Sequence, residues 1–130
     1  MELEYPDRDA ALLAYAEALE ISYQDAVDAL LSEDQLGSAL ARPRNAAAYE
    51  NADLVRQAAT LFWGITTDHP FRDGNKRLAT VLLRAFLEVN GYELTLSEDQ
   101  RVELALGVAE HHWSVDRVEE VLRPAVRPST

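Results

Sequence analysis

An all-α fold, a compact single-domain bundle of about six helices, is predicted by three features of this sequence. Apolar residues recur at spacings of three and four in successive segments, capping residues stand ahead of several of them, and no alternating run is long enough to build a sheet. At 130 residues the chain is expected to form one domain, 1–130, with enough core to need no covalent staple.

The elements follow in order. From Asp9 to Leu19, the residues Leu12, Leu13, Ala16 and Leu19 make one helical face. Ser22 is an N-cap with Asp25 in the capping-box position, and Ala26, Val27, Leu30 and Leu31 carry a second helix. Periodicity then fails from Ser32 to Asn51. LGSALARPRNAAAYEN contains Gly37, Pro43 and two asparagines, so an irregular, mobile flap is expected ahead of the central helix. Leu54, Val55, Ala58, Leu61, Phe62 and Ile65 mark a third helix that stops before His69-Pro70. After Gly74 comes a fourth, through Leu78, Val81, Leu82, Ala85, Phe86 and Val89, which ends at the left-handed cap signal Asn90-Gly91. Its apolar stripe has no polar interruption, which makes it the central helix. Ser97 with Gln100 repeats the capping box before a fifth helix, and Ser114 opens a sixth through Val115, Val118, Val121 and Leu122. Short extended pieces are expected near Tyr92 to Leu96, and a frayed tail from about residue 124.

The chain has no cysteine, which excludes disulfides, thiolate catalysis and cysteine zinc sites. MELEYPDRD has neither the basic nor the apolar part of a signal peptide, and no apolar run reaches membrane-span length, so a cytoplasmic protein is expected. A formal charge of −11 repels phosphate backbones and argues against nucleic-acid binding. That charge is uneven: residues 1–34 hold ten acids and one base, whereas residues 69–84 hold four bases and one acid. A local cationic spot on an acidic protein points to a small anionic ligand, although Arg72 and Arg84 alone read as solvated surface charges.

The spot is HPFRDGNKR, His69 to Arg77, between two apolar helices. Its position delivers side chains to a helix N-terminus, where unpaired N–H groups and the macrodipole favour anions. Gly74 lets a phosphate approach the backbone, the Asn75 amide can donate, and Lys76 and Arg77 add cations, the arginine with bidentate geometry. Asp73 is either a charge-balancing cap or a magnesium ligand acting together with phosphate oxygens. His69 has a side chain able to take a proton from a hydroxyl near neutral pH. A pair of helical metal ligands at His69 and Asp73 is disfavoured by Pro70 and Gly74. Phe71 is an apolar anchor for the loop. Taken together these are the parts of phosphoryl or nucleotidyl transfer. His111, His112 and Trp113 read as packing or surface residues.

HPFRDGNKR resembles the motif HxFx(D/E)GN(G/K)R of the Fic/Doc (Fido) family, with every specified position matched, and Lys76 resembles the Doc, or death-on-curing toxin, branch. SALARP (Ser38 to Pro43) is similar to the Doc flap, and FLEVNGYEL (Phe86 to Leu94) to the segment closing the central helix. The resemblance implies a Fido helical bundle that uses ATP and Mg²⁺, with His69 as general base, Asp73 as Mg²⁺ ligand, and Gly74, Asn75, Lys76 and Arg77 on the nucleotide phosphates. It implies a toxin of a toxin-antitoxin system, a protein kinase that moves the γ-phosphate to a threonine of a target such as elongation factor Tu. The alternatives are an AMP transferase and a catalytically silent Fido binding module. Lys76, and Thr80 where the AMP-transferring branch extends its motif with arginine, favour the kinase. Ser38, Ala39, Leu40, Ala41 and Arg42 are expected to hold the target peptide by strand addition. AAAYEN, Ala46 to Asn51, departs from the family's inhibitory motif (S/T)xxxE(G/N) by lacking its hydroxyl, so restraint is expected from a separate antitoxin.

Overall fold

The computed structural model describes residues 2–130 and contains seven α-helices with one small two-stranded sheet. The first helix, α1 (Arg8–Leu19), is started by the Asp7 carboxylate, which accepts the Ala10 N–H at 2.8 Å, and is stopped by Glu20 in the left-handed region. Its buried face is Ala11, Leu12, Ala14 and Tyr15, and Leu13 is turned to solvent at 58% exposure. The apolar stripe expected from sequence is therefore rotated, because the aromatic ring of Tyr15 covers more core than a second leucine. Next comes α2 (Tyr23–Ala29), capped by Ser22 as expected, with the Asp25 N–H donating to its hydroxyl.

The expected flap is instead an eighteen-residue helix, α3 (Glu33–Glu50). Ser32 caps its start by accepting the Gln35 N–H at 3.0 Å, and Asn51 closes it in the left-handed region. Pro43 removes one N–H and Gly37 lowers propensity by about 1 kcal/mol, but alanines and tertiary packing outweigh both. Leu36, Ala39, Leu40, Pro43 and Ala46 are buried, and α3 packs most extensively against α4 (Leu54–Asp68). Ser38, Ala39, Leu40, Ala41 and Arg42 therefore lie within a helix whose backbone groups are engaged internally. This corrects the flap assignment, since strand addition needs free backbone groups.

The centre of the fold is α4 with α5 (Asn75–Val89), both fifteen residues long. On α4, Ala58, Ala59, Leu61, Phe62 and Ile65 are buried, and on α5 Leu78, Ala79, Leu82, Leu83, Phe86 and Leu87. The remaining elements cover this pair, with α1 against α5 and α7 (Val115–Leu122) against α4. Between them, α6 (Glu98–His111) begins with the complete Ser97/Gln100 capping box predicted from sequence. Trp113 lies against Gly107, whose missing Cβ would come within 2.3 Å of the indole, and the Trp63 indole N–H donates to the Trp113 carbonyl. Packing is therefore the role of this tryptophan, as expected.

The tail does not fray. A 3₁₀ turn at Arg123–Ala125 leads into β2 (Val126–Pro128), which pairs antiparallel with β1 (Tyr92–Leu94), Leu94 opposite Val126. The Thr95 N–H donates to the Ala125 carbonyl and the Ser129 N–H to Gly91. Three-residue strands have no period to detect, so the pairing was invisible in the sequence. No helix among the described residues is long and apolar enough to cross a membrane.

Ion pairs tie the C-terminal elements to α4: Arg56 meets Asp116 and Glu119 of α7, and Asp53 meets Arg123. Asp53 caps α4 through the Arg56 N–H and accepts both Arg123 terminal nitrogens, at 2.9 and 3.2 Å. Arg123, then the Arg56 N–H, hold its carboxyl below the ordinary range. A depressed carboxyl stabilises the fold above its unfolded pKa of about 3.9, and that contribution is lost as pH falls through the lower folded value. Asp53→Asn should therefore flatten the acid limb of a stability-pH curve below about pH 4; urea melts across that range check it, and an unchanged acid limb contradicts it.

Candidate active site

The loop between α4 and α5 makes a sharp return with two left-handed residues. His69, the C-cap of α4, has φ 50° and ψ 58°, and Gly74, the N-cap of α5, has φ 77°. A non-glycine residue at positive φ must be held by its surroundings. Gly74 is required for two reasons. Its φ disfavours any side chain, and a Cβ would stand 2.8 Å from the Leu19 side chain. The Cβ position is thus filled from the α1 side by Leu19, a packing reason for the glycine beside the one expected from sequence.

Three side-chain contacts lock the loop. The Asn75 amide, almost fully buried, accepts the Phe71 N–H at 3.0 Å and donates to the Phe71 carbonyl at 2.9 Å. The Phe71 ring stacks on Tyr15 with centroids 3.9 Å apart and an interplanar angle of 11°. The Tyr15 hydroxyl donates to the Asp73 carbonyl at 2.6 Å. Burial, then the Asp73 charge, pushes the Tyr15 phenol up, so it remains a donor at neutral pH. Phe71 is the anchor predicted from sequence. Asn75 departs from expectation, because its side chain faces inward as the loop's clamp and only its backbone N–H remains for an anion. Tyr15 has no local signal in the sequence, because its partners Phe71 and Asp73 lie more than fifty residues away.

The outer edge of the loop is paired as well. The Leu31 and Ser32 N–H groups both donate to the Pro70 carbonyl, and the Arg72 N–H donates to Ala29. Extended backbone beside the loop is therefore found at residues 30–32, after the end of α2, not at 38–42.

A cleft of about 320 Å³ opens over this loop, lined by Thr66, His69, Arg72, Asp73, Gly74, Asn75, Lys76, Arg77 and Ala109. The structure thus brings His69, Asp73, Gly74, Asn75, Lys76 and Arg77 together and leaves Ser38 to Arg42 out of the cleft wall. A second groove, about 480 Å³, meets the first at Lys76 and Arg77 and has Ala18, Val81, Val102 and Ala105 in its walls. Pockets of these sizes suit small ligands. At the base of the cleft the intrahelical ladder starts only with the Leu78 N–H, which donates to Gly74 at 2.9 Å. The N–H groups of Asn75, Lys76 and Arg77 form the first turn, where no intrahelical acceptor exists.

Charge distinguishes this cleft from the rest of the surface. Ion pairs engage Arg8, Arg42, Arg56, Arg101, Arg117, Arg123 and Arg127. Among the described residues Arg44, Arg72, Lys76, Arg77 and Arg84 have no carboxylate partner, and Arg72, Lys76 and Arg77 gather in the cleft wall. Arg72 is thus a wall residue rather than only a solvated charge. One Asp73 oxygen accepts the Gly74 N–H at 2.8 Å. No group of three acidic, histidine or cysteine side chains that could cage a metal occurs among the described residues. A single carboxylate fits Mg²⁺, which keeps waters and phosphate oxygens as its other ligands, and would not fit zinc. Glu50 of AAAYEN ends α3 and pairs with Arg56, outside the cleft.

The sequence matches the Fic/DOC family over residues 5–87, from before α1 to near the end of α5. No curated protein gives a match. Among solved structures the chain is similar to BepC, a VirB-translocated effector protein of Bartonella tribocorum with bound AMPPNP. The TM-score is 0.64 at 12% identity, over 97% of this chain and 77% of that one. At that identity the likeness establishes the shared helical fold.

Asn75→Ala leaves the Phe71 N–H and carbonyl unpaired in a buried setting, at a cost on the order of 1–3 kcal/mol for each group. Chemical denaturation should show this loss of stability; a variant as stable as the parent would refute the clamp.

Proposed function

The chain belongs to the Fic/DOC family, whose members are nucleotide-dependent transferases, and from that premise we propose that it is a protein kinase. It moves the γ-phosphate of ATP to a threonine hydroxyl of a target protein. The observation carrying this reading is the cleft itself: His69, three unpaired cations and the free N–H groups of α5 share one wall. Lys76 and Thr80, where the AMP-transferring branch has glycine and a further arginine, favour γ-phosphate transfer.

In this proposal the backbone of Asn75, Lys76 and Arg77, with the Lys76, Arg77 and Arg72 side chains, binds the phosphates. The target oxygen attacks the γ-phosphorus while its proton passes to the His69 imidazole. The bond from that phosphorus to the β–γ bridging oxygen breaks, and ADP leaves with the electron pair. Asp73 is the ligand for Mg²⁺, which when bound neutralises charge on the phosphate oxygens. Elongation factor Tu as target, a toxin role and restraint by a separate antitoxin complete the proposal, in keeping with Glu50 lying outside the cleft wall.

A second reading, AMP transfer, is supported by the two grooves that meet at Lys76 and Arg77, since a nucleoside has room on either side of the phosphate site. Incubation with ATP labelled separately at the α and γ positions decides between them. Label should reach the target from the γ position; transfer from the α position alone selects the AMP transferase, and none from either selects a silent binding module. His69→Ala should lower transfer by about 10²- to 10⁴-fold, and growth inhibition that survives this substitution would defeat both enzymatic readings. Asp73→Asn should raise the Mg²⁺ concentration needed for half-maximal transfer, and an unchanged requirement would remove Asp73 as the ligand.

A further inference from the structure

Asp68 and Arg42 form a brace on the N-terminal side of the loop. Asp68 is the last residue of α4, adjacent to His69, and its side chain is only 14% exposed. A carboxylate there faces the negative end of the helix dipole and requires a cation. That cation is Arg42, which reaches across from α3 to place one terminal nitrogen 3.1 Å from both Asp68 oxygens. Its route is built into α4. The side chain crosses Gly64, where a Cβ would lie 2.5 Å from Cδ and 2.7 Å from Nε, and the guanidinium sits 5.0 Å from the Trp63 ring centroid. Arg42 Nε is buried with no hydrogen-bond partner, so the arginine accepts an unsatisfied donor in order to reach Asp68.

The C-terminal side of the loop is fastened by Asn75, Tyr15 and residues 29–32. At the N-terminal side His69 holds a left-handed conformation with no glycine to ease it, and the side chain next to it is the one Arg42 grips. We propose that Arg42, through Asp68 and over Gly64, is a positioning residue that holds His69 in its left-handed conformation and aims its ring into the cleft. This rests on the proposed role of His69 as the base, but the brace itself can be tested apart from it.

The full-length chain is compared with Arg42→Gln, Arg42→Lys and Gly64→Ala, the last displacing Arg42 without altering any charge and with a helix-favouring residue. Misplacing the base should lower kcat for label transfer by about 10- to 100-fold while KM for ATP stays within about threefold, because the phosphate site is untouched. Arg42→Lys should retain an intermediate rate. Backbone amide resonances of His69 and Asp68 should shift in both Arg42→Gln and Gly64→Ala. A kcat within about twofold of the parent in Gly64→Ala, with those resonances unmoved, overturns the proposal, and this variant carries the test if Arg42→Gln does not fold. Should the parent transfer no label, the kinase reading fails while the resonances still judge the brace: shifted supports it, unmoved rejects it.

Discussion

The chain has to reverse direction between its two central helices in six residues and still present a rigid wall to a ligand. The Asn75 amide makes this possible. By accepting from and donating to the backbone of Phe71, it supplies the buried turn with partners that neither helix can reach. With Phe71 fixed, its ring meets Tyr15, the Tyr15 hydroxyl meets the Asp73 carbonyl, and the α5 N-terminus is left facing outward. Without that amide the Phe71 N–H and carbonyl lose their side-chain partners, and the contacts with Tyr15 and residues 29–32 must hold the loop alone. The cleft is thus a consequence of how a buried turn satisfies its own hydrogen bonds.

Electrostatics follow from the same arrangement. A protein of net charge −11 repels anions at long range, and salt confines that repulsion to about 10 Å at 0.1 M. Within the cleft, three cations with no acidic partner and the first turn of α5 oppose it locally. Elsewhere most arginines are paired, some across elements, as Arg123 with Asp53 and Arg42 with Asp68. An anion of a few charges held by directed N–H groups suits such a site better than a long polyanion, which would also meet the acidic surface.

Where sequence reading failed, it gave single residues too much weight. Gly37 and Pro43 each disfavour a helix, yet Ser32 and Asn51 cap α3 and its apolar residues are buried against α4. Leu13 looked like core and is exposed, while Tyr15 takes its place. The tail looked free and is fastened through Ala125 and β2 to a strand of three residues. In each case the deciding partner lies far away in the chain, and local propensity cannot see it.

From the sequence alone came the central helices, the capping residues Ser22, Ser97 and Ser114, the placement of HPFRDGNKR between α4 and α5, and six of the seven motif residues that line the cleft. These are local properties, set by periodicity, capping and the chemistry of side chains within a few residues. Only the tertiary structure decided that Asn75 turns inward, that Gly74 makes room for Leu19, that Tyr15 and Arg42 support the loop, and that Ser38 to Arg42 are helical. A hydrogen bond or ion pair between α1 or α3 and the loop depends on two segments tens of residues apart being held at one spacing, and that spacing exists only once the core between them has closed.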